Sequence, residues 1–432
     1  MAIYLDEGPY DLTPRGQKLL YIVLSTNVVQ DGFKYGVKVT DVTTSQQYQF
    51  YYSPNFSDGK LYFDLAPLVN MRNFEGVNDL HSDAYGSGNT LYSEPEGNGF
   101  RRYTVNFTEW WLVDGVLTVN PTVGFSETTT VLNAYYQPSN GYRPNVNNGI
   151  PSVSFSLENS SSYAWSDRKT NTYVWPFAST YTPLIQANAV YIPAFSNDFG
   201  MLMCCPKNNL LTANEAIAWK IEFYTGDDPT PIDIAGPLDA SSQMEGVRIY
   251  PGNLQYNTLG IPRPSDFPNW THYIFYFINT DYIPCSVPYV FFNAEKFGLN
   301  DCRFDLVRLA WVGSRGGWEY QNFTKKNEDN YTIERRQFRQ VLPNNYISSS
   351  RQLTDRQSIV DKVITINSDW LQEGEFEYLK GLLVSNQVHI VNIDGTQTPV
   401  NVAESTYIAR RERLGKKYNL TLKIAYSQDY WS

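Results

Sequence analysis

Apolar and polar side chains alternate with a period of two along much of this chain, which restricts it to sheet architectures. In Tyr103-Thr104-Val105-Asn106-Phe107-Thr108 every second residue is apolar, and Tyr418, Leu420, Leu422, Ile424 and Tyr426 alternate with Asn419, Thr421, Lys423 and Ala425. Successive side chains of a strand point to opposite faces, so these stretches read as half-buried antiparallel strands. Leu20–Leu24, Tyr35–Val39, Gln47–Tyr52, Leu61–Leu65, Leu112–Val119, Trp219–Tyr224, Tyr273–Ile278, Phe304–Trp311 and Val388–Val391 read the same way. Asp31-Gly32, Asp58-Gly59, Asp114-Gly115 and Asp394-Gly395 punctuate them as turns. Strands this close together, with almost no helical pattern between them, predict sandwiches or barrels and not βαβ units.

One helix is expected, over 368–383. Ser368 is placed to cap its start, the glutamates fall early where the helix dipole favours them, and Leu371, Phe376, Leu379, Leu382 and Leu383 form an approximate stripe. Two stretches, 126–180 and 225–270, are rich in Asn, Ser, Thr, Tyr, Pro and Gly without a clear period, and read as long loops. The expected fold is therefore mainly β: two antiparallel β-sandwich or barrel-like domains plus a small C-terminal α+β module with one helix. The expected units are a sandwich at 1–125, a connection at 126–180, a second β domain at 181–350 and the module at 351–432. At 432 residues, two or three domains are the prior.

Charge and cysteine usage exclude several function classes. The net charge of −10 disfavours a general nucleic-acid binder, which needs cations to neutralise phosphates. The charge is unevenly spread: residues 325–432 carry 15 Lys and Arg against 13 Asp and Glu, leaving a net −12 in the first 324. An acidic body suits a surface past which DNA slides without sticking. Cys204, Cys205, Cys285 and Cys302 contain no C-x-x-C pair, and read as small buried hydrophobes in a reducing compartment. No signal peptide and no apolar run of spanning length is recognised, so synthesis in a cytoplasm and no membrane anchor are expected. The aromatic share of 15%, with 33 Tyr, fits both half-buried strands and protein–protein interfaces.

No catalytic motif emerges. The chain lacks the P-loop, the G-x-S-x-G elbow and the H-E-x-x-H helix. Gly313-Ser314-Arg315-Gly316-Gly317 lies between Trp311 and a strand-like Trp318–Phe323, and reads as a hairpin turn, not a phosphate cradle. His81, His272 and His389 fall in separate segments and read as surface or satisfied histidines. Glu94 with Glu96, and Asp227 with Asp228, are nominal carboxylate pairs of little weight. The densest basic run, Arg410-Arg411-Glu412-Arg413-Leu414-Gly415-Lys416-Lys417, reads as a solvated hairpin; its alternatives are contact with nucleic acid or with the acidic body of another subunit. No catalytic, cofactor-binding or metal-ligating residue is assigned, and no cofactor is expected.

Three stretches carry a resemblance. Trp311-Val312-Gly313-Ser314-Arg315-Gly316-Gly317-Trp318-Glu319-Tyr320-Gln321-Asn322-Phe323 resembles a strand–turn–strand of virion proteins from phages of Bacteroidetes. Arg413–Leu422, preceded by the Trp370–Leu383 helix, and Gly59–Leu65 are similar to the same group. Together they look like tail proteins of short-tailed crAss-like phages. The likeness covers roughly the last 120 residues and part of the N-terminal domain, with motifs of low specificity. It implies a subunit of the tail hub, or of the barrel ring between portal and hub, repeated around the channel for genome ejection. Its implied partners are copies of itself in a ring, other tail and ring proteins, and passing genomic DNA without specific binding. The alternative is a virion surface protein that binds receptors or glycans through Tyr and Trp. A polysaccharide-degrading enzyme ranks last.

Overall fold

The computed structural model describes residues 3–9, 12–14, 18–42, 44–71, 93–95, 100–132, 189–204, 218–225, 232–237, 245–255, 270–278, 284, 288–296, 298–299, 304–313, 317–342, 344–368, 371, 373–385, 387–410 and 417–427. The fold is mainly β, with most sheet neighbours antiparallel.

Near the N-terminus, strands β1 (Ile3–Glu7), β2 (Leu12–Pro14), β3 (Leu20–Ser25), β4 (Lys34–Asp41), β5 (Gln47–Tyr52) and β6 (Leu61–Asp64) precede a short helix α1 (Ala66–Met71). After β7 (Ser93–Pro95) come two long strands, β8 (Phe100–Val113) and β9 (Val116–Leu132). They build a three-stranded sheet, β1-β3-β6, and a five-stranded sheet, β2-β9-β8-β4-β5. The two sheets share one core, to which Tyr21, Val23 and Phe63 contribute from one and Val37, Val39, Tyr103, Val105 and Phe107 from the other. The period-two pattern is therefore realised, because Thr104, Asn106 and Thr108 take the opposite face. Each buried Val or Phe contributes about 1.5–3 kcal/mol of transfer free energy. Leu112–Val119 is not one strand. Asp114 and Gly115 both have positive φ, 52° and 77°, and form the two-residue turn between paired Val113 and Val116. The strand β9 also runs to Leu132, so the start of the expected connection is strand: Ser126 to Leu132 pair with Asn106 back to Phe100.

The middle of the chain supplies β10 (Val190–Ala194), β11 (Leu202–Cys204), β12 (Ala218–Thr225), β13 (Ile232–Pro237), β14 (Glu245–Val247), helix α2 (Pro251–Gln255), β15 (Trp270–Ile278) and β16 (Tyr289–Asn293). Five of them form the sheet β10-β16-β15-β12-β13, in which β10 and β16 are parallel. Every residue of β15 and β16 is buried, so both faces of the sheet centre are covered, and Tyr273–Ile278 and Tyr289–Phe292 are unbroken apolar and aromatic runs. Expected loop 225–270 therefore contains β13, β14 and α2. A small sheet, β11-β14-β7, joins a strand from before residue 100 to this region.

The C-terminal part is one seven-stranded sheet. Its strands are β17 (Val307–Val312), β18 (Trp318–Phe323), β19 (Glu328–Arg339), β20 (Leu353–Asn367), β21 (Val388–Val391), β22 (Gln397–Arg410) and β23 (Lys417–Tyr426), in the order β18-β17-β21-β22-β23-β20-β19. The sheet takes strands from both sides of residue 350, because the β19–β20 hairpin straddles that position. Helix α3 (Glu373–Val384) packs Tyr378, Leu379 and Leu382 onto one face. It starts later than expected, and Ser368 is not its cap. The Ser368 hydroxyl accepts the Leu420 N–H at 2.9 Å and its own N–H donates to Leu420 O at 2.8 Å, tying the end of β20 to β23.

Candidate assembly site

Among the described residues, those singled out from sequence do not converge. His272 lies on β15, buried and stacked on Tyr224 with ring centroids 4.6 Å apart. Burial pulls its pKa down to about 4, so it is neutral at pH 7. His389 lies on β21, in a different sheet, edge-on to Trp318 at 5.5 Å. Glu94 sits on β7, paired in register with Gly246. Gly313 donates its N–H to Gly317 O at 2.8 Å, closing the β17–β18 hairpin, while Arg410 and Lys417 face each other at the start of the β22–β23 hairpin. Cys204 ends β11. His81, Glu96, Asp227, Asp228, 314–316, 411–416, Cys205, Cys285 and Cys302 lie outside the described residues. Among the described residues no cluster of three or more His, Cys, Asp or Glu could hold a metal ion, and no helix is long and apolar enough to cross a membrane.

Two features that sequence reasoning missed organise the molecule instead. The first is a buried polar junction between the middle of the chain and the C-terminal sheet. Arg308 of β17 is 4% exposed and Asp198, in the turn after β10, is 1% exposed. The guanidinium Nη1 lies 3.1 Å from Asp198 Oδ2, Nε donates to Phe199 O at 2.9 Å, and Nη1 donates to Asn322 Oδ1 at 3.1 Å. Asn322 and the Phe195 N–H both donate to Asp198 Oδ2, at 2.7 and 3.0 Å. The Tyr250 and Tyr320 rings flank the guanidinium at 4.7 and 4.9 Å. Burial pushes the Asp198 carboxyl up, while Arg308 and these hydrogen bonds oppose it. Gly252 brings its N–H within 2.7 Å of Asp198 O, a distance at which a Cβ would meet that oxygen at 2.8 Å. Arg308 Nη2 and Asp198 Oδ1 are buried without a hydrogen-bond partner among the described residues, so the pair recovers only part of its desolvation cost; what it supplies is a fixed geometry that ties the turn after β10 to β17 and β18. Its sole sequence signal is an arginine inside the apolar run Val307-Arg308-Leu309-Ala310-Trp311-Val312.

The second feature is the β19–β20 ribbon. β20 pairs with β23 only over Val363–Asn367, but pairs with β19 from Leu353 to Thr365. The stretch from Tyr331 out to the turn and back to Lys362 therefore projects as two strands beyond the sheet. Every residue of β19 is exposed. At the root, Lys362 bridges to Asp329 at 2.9 Å and lies over the Tyr331 and Tyr426 rings. Further out the ribbon presents Ile333, Phe338, Tyr346, Ile347 and Leu353 to solvent, with Val341 97% exposed. Between 335 and 356 it carries Arg335, Arg336, Arg339, Arg351 and Arg356 against Asp355 alone. An isolated two-stranded hairpin is marginal in water, and exposed apolar groups on such a ribbon mark a surface that something else covers.

No family profile matches the chain, and no curated protein sequence does. Among solved structures, the tail of an empty gene transfer agent particle, refined helically with C6 symmetry, is similar at 11% identity and a TM-score of 0.21, over 29% of this chain and 95% of that one. The virion of a native gene transfer agent particle is similar at 12% identity and a TM-score of 0.21, over 30% of this chain and 95% of that one. At that level of likeness neither carries weight for fold or function.

Proposed function

We propose that the chain is a structural, non-catalytic subunit of a phage virion tail, assembled in the host bacterial cytoplasm. The hub is its first position and the barrel ring its second, in many copies around the channel through which the genome leaves. The observation that carries the assembly part is the β19–β20 ribbon, exposed along all of β19 and tipped with apolar side chains. Covering it requires a partner, as expected of a subunit and not of a self-sufficient enzyme. The tail address rests on the resemblance of 311–323, 413–422 and 59–65 to crAss-like tail proteins. The net −12 of residues 1–324 accords with DNA passing without specific binding.

The test is a reconstruction of purified particles with this chain located and its copies counted. A ring of many copies on the tail axis is the expected result. Peripheral trimers, together with glycan binding by the purified chain, would establish the receptor-binding alternative instead.

A further inference from the structure

We propose that the tip of the β19–β20 ribbon of one copy seats on the loop end of the N-terminal sandwich of the next copy. This rests on the assembly reading above and names the contact that would join neighbours.

The first support is the character of the tip. It is both basic and apolar: 335–356 has five arginines, one acid and the exposed residues Phe338, Val341, Tyr346, Ile347 and Leu353. With a net +4 there and −10 overall, the rest of the chain carries −14, so the tip is attracted to the body of another copy. A phosphate backbone calls for cations but not for five large apolar groups, and the acidic body repels it.

The second support is a surface of matching character. The turn near Asp31, the turn Asn55–Lys60 and the β8–β9 tip lie at one end of the N-terminal sandwich, since Leu112 N–H bonds Asp31 O at 2.9 Å and Tyr35 Oη bonds Gly59 O at 2.8 Å. Val29, Phe56 and Val116 are exposed in these three turns, and each turn also carries an exposed aspartate, Asp31, Asp58 and Asp114, while the nearby Lys60 is paired with Asp6 at 2.8 Å. Buried Glu109 holds this end in shape: it accepts from the Ser25 hydroxyl, from Asn27 Nδ2 at 2.9 Å and from Asn120 Nδ2 at 3.0 Å. A surface fixed in advance loses less entropy on docking.

Reach and symmetry agree. From Tyr331 to Arg339 the ribbon extends roughly 30 Å at about 3.3 Å per residue, beyond the ~22 Å radius of gyration expected for a globule of this length. The tip is about the size of one side of a standard interface, roughly 20–30 residues. Donor and acceptor patches differ, so the contact is head-to-tail and forms a ring wherever the rotation closes.

The experiment uses the full chain. Tyr346→Cys and Phe56→Cys are made in separate chains and mixed under mild oxidant, with Val384→Cys, exposed at the end of α3, replacing Tyr346→Cys in the control. Cross-linked dimer of Tyr346→Cys with Phe56→Cys should form about tenfold faster than in the control mixture. In parallel, Arg335→Glu with Arg336→Glu should weaken self-association roughly tenfold, as should Asp31→Lys with Asp58→Lys, and mixing the two reversed chains should restore it. Circular dichroism and melting of each variant separate lost contact from lost fold. Cross-linking no faster than the control, no restoration by the reversed pair, or a ribbon that retards DNA without self-association would overturn the proposal. A chain found in a tail ring without this cross-link sinks only the contact. Cross-linking by a chain absent from the tail sinks only the tail reading.

Discussion

The β8–β9 and β19–β20 hairpins are both long, but they meet different fates. In the first, Tyr103, Val105 and Phe107 are fully buried beneath β1-β3-β6. In the second, Tyr331 and Ile333 occupy equivalent alternating positions and stay exposed, because the sheet ends at β19 and no second sheet lies over the ribbon among the described residues. Period-two alternation announces that one face seeks cover. It does not say whether the cover comes from the same chain.

The largest effect should come from removing a side chain with internal cover. Phe107 touches Tyr21, Phe63 and Phe125 with ring centroids 5.4, 6.4 and 4.9 Å away. Phe107→Ala should cost about 3–5 kcal/mol in chemical denaturation of the N-terminal sandwich. A loss near zero would mean that the hairpin is no better covered than the ribbon, and the contrast would collapse.

A comparable loss is expected where one unit covers another. Arg308→Met leaves Asp198 buried without its counter-ion and should destabilise the junction by about 3–5 kcal/mol. Pairing it with Asp198→Asn should recover much of that, since the uncompensated charge is then gone. Additive losses in the double variant would show that packing around Tyr250 and Tyr320, and not the ion pair, locks the sheets.

The extreme of internal cover is β15, where His272 is buried on a strand with no exposed residue. Its folded pKa near 4 lies below the ordinary 6.5. The unfolded chain therefore binds more protons in that window, and stability rises as pH climbs from about 4 to 6.5 and falls as pH drops through it. The shift corresponds to about 3 kcal/mol at full effect. His272→Gln should flatten the profile of unfolding free energy between those pH values; an unchanged slope would mean that water reaches the imidazole.

These contrasts explain which parts could be read from the residues. Tyr103–Thr108 and the Asp114-Gly115 turn were legible because alternation and positive φ are local demands. The strand at Ser126–Leu132 was hidden by its polarity: Thr129 is buried with its hydroxyl 2.7 Å from Tyr21 Oη, and Thr128 pairs across the ladder with Thr104 at 3.1 Å, contacts that composition cannot reveal. Ser368 misled because its local sequence fits a cap while its actual partner, Leu420, is distant in the chain. The junction was invisible for the same reason, since Asp198 and Arg308 acquire meaning only when two sheets meet. Neither strand of the ribbon was read from sequence, because the charged and polar residues of Glu328–Arg339 and Leu353–Asn367 blur the alternation, and exposure is a property of what fails to pack on it.

Ile333 faces Val360 across the ribbon, with over half of its surface in water. Ile333→Ser removes little apolar burial from the isolated chain, so the unfolding free energy should move by no more than about 0.5 kcal/mol. In an assembly the same side chain would be covered, and its loss should show as weaker association at unchanged melting of the monomer. Measured together by denaturation and sedimentation, the two quantities separate cover supplied from within from cover supplied by a neighbour. A monomer destabilised as strongly as by Phe107→Ala would mean that the ribbon folds back onto its own subunit, and its apolar face would then need no partner.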